Sequence, residues 1–329
     1  MSKKVLITGA SGFVGYHLIA AAVEAGLEVY AAVRKSSDVS HLKVFDIHYI
    51  DLDYRSVASL KKQLEEVQFQ YIIHAAGITK AKTLAAYNKV NAEYSRDLAI
   101  AASTANMALE KFVFVSSLAA LGPLKDLSGE ITDDTEGRPV TSYGASKLLA
   151  EEYLKDITGL PLIIIRPTAV YGPREKDIFI LFKSISRGLE PHIGSFKQQL
   201  SFVYVKDLAK VIIQALQSDL TGKQYNISDG GSYDRYQLAM LTKKAMNRKT
   251  FKFHLPIGVV SLLATLMDLI YKRSTDTPTL NKEKMAELTA INWACNIDHA
   301  RRDLGFDPQF DLEKGMVETI SWYKENRWL

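Results

Sequence analysis

The sequence has little cysteine and no strong excess of charge of one sign. Cys295 is the one cysteine among 329 residues. A single thiol can form neither an internal disulfide nor a cysteine metal site, so we expect no metal centre and a reducing compartment, the cytoplasm. Lys and Arg number 41 against 37 Asp and Glu, and no basic block stands out. Nucleic acid is therefore not an expected partner.

Long hydrophobic runs are missing too. The longest apolar stretch, Leu255–Tyr271, is interrupted by Asp268 and falls short of the roughly 20 residues that a membrane-spanning helix needs. Two interpretations remain for its central part, Pro256–Ile270: a buried core helix, or a lid over an apolar substrate. The apolar run after Met1–Lys4 is too short for a signal peptide. We do not expect membrane contact.

In the first half of the chain, short aliphatic runs alternate with segments whose apolar residues recur at the period of a helix. Strands are predicted at Lys4–Thr8, Glu28–Val33, Phe45–Ile50, Tyr71–His74, Lys111–Ser116 and Leu162–Arg166. Helices are predicted at Gly12–Ala25, Ser56–Glu66, Leu84–Ala105 and Ser142–Ile157. Apolar strands separated by helices indicate a parallel sheet that is covered on both faces. Right-handed crossovers then predict an α/β fold with a Rossmann-type, doubly wound sheet.

A glycine-rich loop directly follows the first predicted strand and opens the first helix. Its sequence is Gly9-Ala10-Ser11-Gly12-Phe13-Val14-Gly15. The glycines permit a tight turn, a close approach of the backbone to a pyrophosphate, and close packing of helix on strand. The helix N-terminus adds free N–H groups and the positive end of a dipole. We predict a dinucleotide site here, contacted by Gly9, Ser11, Gly12, Phe13, Val14 and Gly15.

The second half of the chain is less regular. A strand–helix pair is predicted at Leu200–Val205 and Lys206–Gln217, and a further strand at Gln224–Ile227. Helices follow at Tyr233–Met246 and from about Leu312. We therefore divide the chain into a dinucleotide-binding domain over residues 1–168, to which residues 200–229 return, and a smaller, mostly helical substrate-binding domain over 169–199 and 230–329.

The end of the second strand bears on the choice of dinucleotide. It carries Arg34 and Lys35, whereas a carboxylate there would repel a 2′-phosphate. A guanidinium pairs bidentately with phosphate, which favours NADP(H) as the cofactor. The alternative is a solvated basic turn, and NAD(H) then remains the second candidate.

Two side chains suited to proton transfer lie at the start of the predicted helix after the fifth strand. Tyr143 and Lys147 are four residues apart, so they share one helix face. A free tyrosine has a pKa of about 10, and a nearby ammonium stabilises the phenolate and lowers that pKa. The fifth strand ends in Ser116 and Ser117, each of which offers a hydroxyl to the same site.

Together, the Gly-x-x-Gly-x-x-Gly loop, Tyr-x-x-x-Lys and the strand-end serine resemble the short-chain dehydrogenase/reductase superfamily, specifically its extended branch. The resemblance covers essentially the whole chain. It implies a catalytic triad in which Tyr143 exchanges a proton with the substrate oxygen and Ser117 hydrogen-bonds that oxygen. Lys147 would hold the nicotinamide ribose and tune Tyr143. Ser117 is preferred over Ser116 because it lies five residues before Gly122, as in the family's pattern.

The same resemblance extends the list of cofactor contacts. It assigns Asp51 and Leu52 to the adenine, Ala75, Ala76 and Gly77 to the back of the dinucleotide, and Pro167 to the nicotinamide pocket, beside Tyr143 and Lys147. It also implies that Asn91 supports the site; the alternative is an amide on a helix surface. Since family members often dimerise through the helix that carries the tyrosine, a homodimer is expected.

The substrate class is less well indicated. Sugar-nucleotide enzymes of this family typically place an arginine where this chain has Leu200, and an apolar residue cannot compensate a diphosphate. Dehydratases carry acidic residues where this chain has Leu118 and Ala119, so dehydration is not expected. The phosphate loop and the Val-Arg strand end are similar to those of dihydroflavonol reductases, and 3β-hydroxysteroid dehydrogenases are the other similar group.

Three hypotheses follow. The leading one is an NADP(H)-dependent oxidoreductase that interconverts a ketone and a secondary alcohol on a small apolar substrate. The second is an NAD-dependent sugar or sugar-nucleotide epimerase that finds its phosphate-binding cations elsewhere, for example at Arg174 or Lys197. The third is a non-catalytic dinucleotide sensor.

Overall fold

A computed structural model describes residues 2–271 and 281–329. The strands are β1 (Lys4–Thr8), β2 (Glu28–Ala32), β3 (His48–Ile50), β4 (Tyr71–His74), β5 (Lys111–Val115), β6 (Leu162–Pro167), β7 (Ala169–Tyr171), β8 (Leu189–Ile193), β9 (Gln199–Leu200), β10 (Phe202–Tyr204), β11 (Lys223–Ile227), β12 (Tyr233–Asp234) and β13 (Phe251–Leu255). The α-helices are α1 (Phe13–Glu24), α2 (Val57–Val67), α3 (Leu84–Tyr87), α4 (Tyr94–Thr104), α5 (Ser142–Lys155), α6 (Phe179–Ser186), α7 (Val205–Gln217), α8 (Gln237–Met246), α9 (Ile257–Tyr271), α10 (Lys282–Thr289), α11 (Asp298–Leu304) and α12 (Leu312–Glu325).

A seven-stranded sheet forms the centre of the molecule. Its order is β11-β6-β5-β4-β1-β2-β3, and every neighbouring pair is parallel. The order reverses between β1 and β4, which puts the switch point at the end of β1, where dinucleotides bind in sheets of this kind. The predicted Rossmann-type, doubly wound α/β fold is confirmed.

The two faces of the sheet are buried in separate cores. Along β5, Val113 and Val115 contribute to one core, and Phe112 and Phe114 to the other. Successive side chains of a strand point to opposite faces, so a strand that is apolar at every position needs helices on both sides. Helices α1 and α7 cover the first face, and α2, α4 and α5 cover the second.

A third core lies in the C-terminal part of the chain. It is built from aromatic and aliphatic side chains of β7, β10, α6, α8 and α12, among them Tyr171, Phe182, Tyr204 and Tyr323. Helix α7 packs on α1, and β11 pairs with β6, so Val205–Ile227 lies with the large sheet. Residues 169–204, in contrast, contribute mainly to the third core.

Several predicted elements differ from those observed. The helix predicted at Leu84–Ala105 is interrupted by a π-helical segment, Asn88–Glu93. The strand predicted at Leu200–Val205 divides into β9, which pairs with β12, and β10, which pairs with β7. The helix predicted from Tyr233 begins later, at Gln237, because Tyr233 and Asp234 pair with β9. Strands β7, β8 and β13 were not predicted from the sequence.

The interpretation of Pro256–Ile270 as a buried core helix is wrong. These residues do form a helix, α9, but among its described side chains only Val260 and Ala264 are buried. No helix within residues 2–271 and 281–329 is long and apolar enough to cross a membrane.

Candidate active site

The glycine loop packs against the end of β4. Gly9 has φ +69°, and a Cβ there would lie 2.7 Å from the Ala75 carbonyl oxygen and 2.8 Å from the Ala76 nitrogen. A Cβ on Gly15 would lie 2.2 Å from the Gly9 carbonyl oxygen. Both positions therefore exclude any side chain, the first also because its backbone is left-handed. These contacts fix the loop beside Ala75–Gly77.

The predicted cofactor contacts converge on one edge of the sheet. Gly12 is the N-cap of α1 and offers no side chain, so the first-turn N–H groups of Phe13, Val14 and Gly15 face outward without a side-chain cap. Parallel strands end at the same edge, and each remaining contact follows or ends a strand: Arg34 after β2, Asp51 and Leu52 after β3, Ala75–Gly77 after β4, and Pro167 at the end of β6. Ser11 lies within the loop itself.

Arg34 is exposed at this edge. Its guanidinium makes no hydrogen bond or ion pair with any described residue, so its charge is available to a ligand. Asp51 is also exposed, whereas Leu52 packs on the second core.

The three proposed catalytic side chains lie together at the carboxyl end of β5. The Ser117 hydroxyl lies close enough to Tyr143 to lower its pKa. The Lys147 ammonium, one helical turn after Tyr143, donates to the Val115 carbonyl oxygen at 2.9 Å. It also lies beside Gly77, since a Cβ on that glycine would be 3.5 Å from Lys147 Nζ. The triad is therefore adjacent to the strand end against which the glycine loop packs.

Local sequence explains why the tyrosine meets the serine. Thr141 caps α5, its hydroxyl accepting from the Gly144 N–H at 3.0 Å. A Cβ on Gly144 would lie 2.3 Å from the Ala119 carbonyl oxygen, in the turn that follows Ser117. Glycine at this position lets the first turn of α5, which carries Tyr143, approach the turn after Ser117 closely.

Burial is the main influence on the pKa values of Tyr143 and Lys147. It raises the pKa of Tyr143 to about 12, against the lowering effect of the nearby Ser117 hydroxyl. Burial also lowers the pKa of Lys147 to about 8. The net pKa shift of Tyr143 is therefore upward, because burial penalises the charged phenolate more than its neighbours favour it.

Ser116 points away from Tyr143. Its hydroxyl donates to Glu151 Oε1 at 2.6 Å, and Arg166 donates to both oxygens of the same carboxylate, at 2.6 Å from Nη2 to Oε2. All three residues are buried. This ion pair ties β6 to α5, so it positions the helix that carries Tyr143 and Lys147.

Asn91 is fully buried, so its interpretation as a surface amide is wrong. Its side chain accepts from the Ile78 N–H at 2.8 Å and donates to the Ile78 carbonyl and to Ser146 Oγ. A Cβ on Gly77 would be 3.1 Å from Asn91 Oδ1. The amide thus holds the segment after β4 against α5.

A buried histidine continues this network to the glycine loop. Ser95 Oγ donates to the Asn91 carbonyl, so it accepts from His74 Nε2–H at 2.8 Å. His74 Nδ1 then accepts from the Thr8 hydroxyl at 2.7 Å, and Thr8 Oγ1 accepts from the Ala76 N–H. Burial lowers the pKa of His74 to about 3, in keeping with this neutral tautomer. Sequence reasoning missed His74, since a histidine ending an apolar strand carries no distinctive signal.

Helix α10 reaches the site from the C-terminal part of the chain. Glu283 accepts a hydrogen bond from Ser142, next to Tyr143. Glu287 lies close enough to raise the pKa of Tyr143 further, though less than burial does. Sequence reasoning missed both acids, because α10 follows Tyr143 by about 140 residues and only the fold brings them together.

An open cavity of about 640 Å³ lies between β9 and the start of α8. Its lining includes Lys197, Gln198 and Arg235. Gln198 donates to the carbonyls of Leu288 and Ala290 at the end of α10, which connects the cavity to the helix beside Tyr143.

Of the two cations considered for a phosphate, the structure places Lys197 at this cavity and Arg174 elsewhere. Arg174 stacks on Tyr16, with its guanidinium carbon 4.1 Å from the ring centroid, and on Trp322 at 5.3 Å. Leu200 pairs with Tyr233 in the β9–β12 ladder.

The chain is similar to known proteins over almost its whole length. Residues 5–228 match the family model of the NAD dependent epimerase/dehydratase family. The chain is 26% identical to a ceramide reductase of Caulobacter vibrioides, over 99% of this chain and 96% of that protein. It is 25% identical to a UDP-glucose 4-epimerase of Vibrio cholerae, over 97% of this chain and 95% of that protein.

Among solved structures, a UDP-glucuronic acid 4-epimerase from Bacillus cereus in complex with NAD superimposes with a TM-score of 0.75 at 22% identity, covering 98% of this chain and 99% of that one. At this identity the likeness shows the shared fold. The family model covers well over half of the chain, and this protein belongs to the NAD-dependent epimerase/dehydratase family, the extended branch of the short-chain dehydrogenases/reductases.

Proposed function

We propose that this protein is an NAD(P)(H)-dependent oxidoreductase that interconverts a ketone and a secondary alcohol on an apolar substrate. One observation carries the chemistry: the partly buried Tyr143 lies beside the Ser117 hydroxyl, which acts on its pKa, and the buried Lys147 ammonium follows one helical turn later. The arrangement offers one group to transfer a proton, a second to orient the substrate oxygen, and a cation within the same buried space.

Each group then has a defined role in the reduction of a ketone. The Tyr143 hydroxyl donates its proton to the substrate oxygen as that oxygen gains negative charge. Ser117 Oγ donates a hydrogen bond to the same oxygen and holds it in line with Tyr143. Lys147 would stabilise the phenolate left on Tyr143 and bind the ribose hydroxyls of the dinucleotide, and a proton from solvent returns to Tyr143 before the next turnover. The bound nicotinamide would supply the hydride, or accept it in the reverse reaction.

The buried network beneath the triad positions these groups. Asn91 and Ser146 link α5 to the segment after β4, and the ion pair of Glu151 with Arg166 links α5 to β6. Tyr143 is thereby held from both sides. Fixed positions of the catalytic groups increase the reaction rate, because proton and hydride transfer require a geometry that is held to a fraction of an ångström.

For the dinucleotide, we propose that Arg34 selects NADP(H). Its exposed guanidinium, without a partner among the described residues, lies at the strand end where the adenosine ribose binds in doubly wound sheets. NAD(H) is the alternative, and it is the cofactor named for the Bacillus cereus epimerase.

Two observations favour reduction of an apolar substrate over epimerisation of a sugar nucleotide. Leu200 offers no charge to a diphosphate where it pairs with Tyr233. The described apolar side chains of α9 are largely exposed, in a segment that packs on α10 beside Tyr143. The ceramide reductase of Caulobacter vibrioides, which aligns over 99% of this chain, carries a reductase name.

The second candidate, a sugar-nucleotide epimerase, is supported by the cavity. Lys197 and Arg235 line it, and the Arg235 Nε is buried without a hydrogen-bond partner among the described residues. The epimerase of Vibrio cholerae gives this candidate a relative of similar identity. Net change in reduced nicotinamide separates the two, because an epimerase returns its cofactor to the starting state.

The test of the proposal is substitution of Tyr143→Phe, which removes the hydroxyl and keeps the ring. The assay follows the absorbance of reduced nicotinamide with a panel of aliphatic, steroidal and long-chain ketones. We expect turnover to fall about 10²–10⁴-fold while NADPH binding by calorimetry is retained. Tyr153→Phe, further along α5, is the matched control and should turn over like the wild type. Unchanged turnover in Tyr143→Phe would contradict the mechanism, whereas NADPH binding by a wild type that turns over no ketone of the panel would favour the non-catalytic sensor.

A further inference from the structure

Helix α9 presents an apolar face that the described chain does not cover. Six of its side chains are between 40% and 70% exposed: Ile257, Val259, Leu262, Leu263, Leu266 and Ile270. No charged residue occurs from Ile257 to Met267. Val260 and Ala264 anchor the helix, packing with Met285 of α10 and with Ile193 of β8. A contiguous exposed patch of this kind marks an interaction surface.

The apolar surface continues onto the strand that leads into the helix. Phe251, at the start of β13, is 71% exposed, and its partner in the adjacent strand is Leu189, which is also exposed. Leu255, at the end of β13, is exposed as well. Strand and helix together form what we call the α9 surface, residues 251–271.

Cations flank the α9 surface. Arg248, Lys249 and Lys252 are exposed just before the helix, and Arg248 and Lys249 make no ion pair with the described residues. Lys252 lies over the Tyr236 ring. At the other end, Lys82 donates to the Tyr271 carbonyl at 3.2 Å. An apolar face with cations beside it complements a bilayer that carries anionic lipids.

The α9 surface is also coupled to the active site. Helix α9 packs on α10. Glu283 of α10 bonds to Ser142, and Glu287 of α10 acts on Tyr143. One helix, α10, therefore separates the α9 surface from Tyr143.

We propose that the α9 surface inserts into the interface of an anionic bilayer, and that the substrate is a lipid of that bilayer carrying a ketone or a secondary alcohol. Fifteen helical residues span about 22 Å, so α9 lies along the surface and does not cross it. A bilayer is the better occupant than a second copy of the chain, because two copies would bring like charges together. The substrate part of the proposal rests on the proposed function; the membrane part does not.

Vesicle flotation of the full chain tests the membrane part. The vesicles are phosphatidylcholine alone or with about 30% phosphatidylglycerol. We expect the protein to float with the anionic vesicles, less with neutral ones, and less at high salt. The double variant Leu262→Glu/Leu266→Glu should lower the bound fraction at least about 10-fold, since each charge opposes insertion.

The control variant is Val44→Glu/Val317→Glu, which charges two apolar side chains of similar exposure away from α9. It should float like the wild type. NADPH binding and circular dichroism check that both double variants are folded. Absence of flotation in the wild type, or equal flotation of both double variants, overturns the membrane proposal. Conversion of a wild-type dimer to a monomer by the α9 variant, seen by sedimentation, would assign the surface to a second copy instead.

Failure of the two proposals can be told apart. Tyr143→Phe should float like the wild type and lose turnover of a long-chain ketone presented in vesicles. Flotation without Tyr143-dependent turnover would overturn the lipid substrate and the proposed function but leave the membrane surface. Tyr143-dependent turnover of soluble ketones without flotation would overturn the membrane surface and leave the proposed function.

Discussion

At the residue scale, charge in this protein is governed by burial. Tyr143 and Lys147 share a helix face, yet desolvation raises the pKa of the first to about 12 and lowers that of the second to about 8. Their neutral forms are favoured by the same absence of water that strengthens hydrogen bonds to a substrate oxygen. Arg34 is the opposite case, an exposed cation with its charge available to a ligand.

The lowered pKa of Lys147 predicts a pH dependence of stability. Between about pH 8 and 10.5 the unfolded chain still holds the lysine proton and the folded chain has released it, so the free energy of unfolding rises with pH in this window. Relative to Lys147→Met, the wild type should gain about 1.4 kcal/mol per pH unit there. Urea unfolding of both proteins at several pH values measures this. A difference that is constant or falls with pH would contradict it.

The exposed charge of Arg34 predicts a preference for NADPH over NADH. Arg34→Ala should weaken NADPH binding about 10-fold or more, since it removes a charge-assisted contact to the 2′-phosphate, and should leave NADH binding nearly unchanged. Calorimetric titration measures both. Lys223→Ala, at the opposite end of the sheet, is the control. Equal loss for both dinucleotides would remove the proposed role of Arg34.

At the element scale, helix α5 is positioned by two contacts of different kinds. Gly144 permits its first turn to pack on the backbone after Ser117, and Glu151 ties its middle to β6 through Arg166. The first contact brings the start of α5 close to Ser117, and the second connects the middle of the helix to β6.

The buried ion pair predicts a large loss of stability when one partner is removed. Arg166→Met removes the two-pronged guanidinium partner of the fully buried Glu151 carboxylate, leaves it the half-exposed Lys155 ammonium at 3.8 Å, and should lower the free energy of unfolding by about 3–5 kcal/mol. Arg55→Met, which breaks the exposed pair with Asp53, should cost less than about 1 kcal/mol. Denaturant unfolding compares the two. Similar losses would mean that the buried pair has no special structural role.

Some elements were predictable from sequence and others were not. Strands β1, β4 and β6 follow the predicted bounds within a residue, because continuous apolar runs bounded by glycine or polar residues have few other uses. The strand predicted at Leu200–Val205 divided, because its two halves pair with different partners, β12 and β7. Partner choice depends on residues distant in the chain, which no local period encodes.

At the scale of the whole molecule, cofactor binding and folding are linked. The glycine loop, the strand ends and the first turn of α1 are formed only in the folded chain. A ligand that binds the folded state alone stabilises it in proportion to the logarithm of its concentration.

NADPH should therefore raise the unfolding free energy by about 2.7 kcal/mol at 100 times its Kd. Gly12→Val should abolish this gain, because the new side chain would block the first-turn N–H groups of α1. The variant should still fold, because the φ angle of Gly12, −81°, is one that valine adopts. Gly258→Val, in open space, should retain it. Thermal unfolding with and without NADPH measures the gain, and its persistence in Gly12→Val would place the dinucleotide elsewhere.

The sequence by itself determined the doubly wound sheet, the glycine loop and the shared face of Tyr143 and Lys147. All three depend on short-range spacing: apolar runs, backbone positions that only glycine fits, and a helical period of four residues. Only the tertiary structure decided that Ser116 bonds to Glu151, that burial raises the pKa of Tyr143, that Asn91 is internal, and that α9 is exposed beside α10. These depend on which distant segments exclude water from a site, and solvent exclusion is a property of the packed chain.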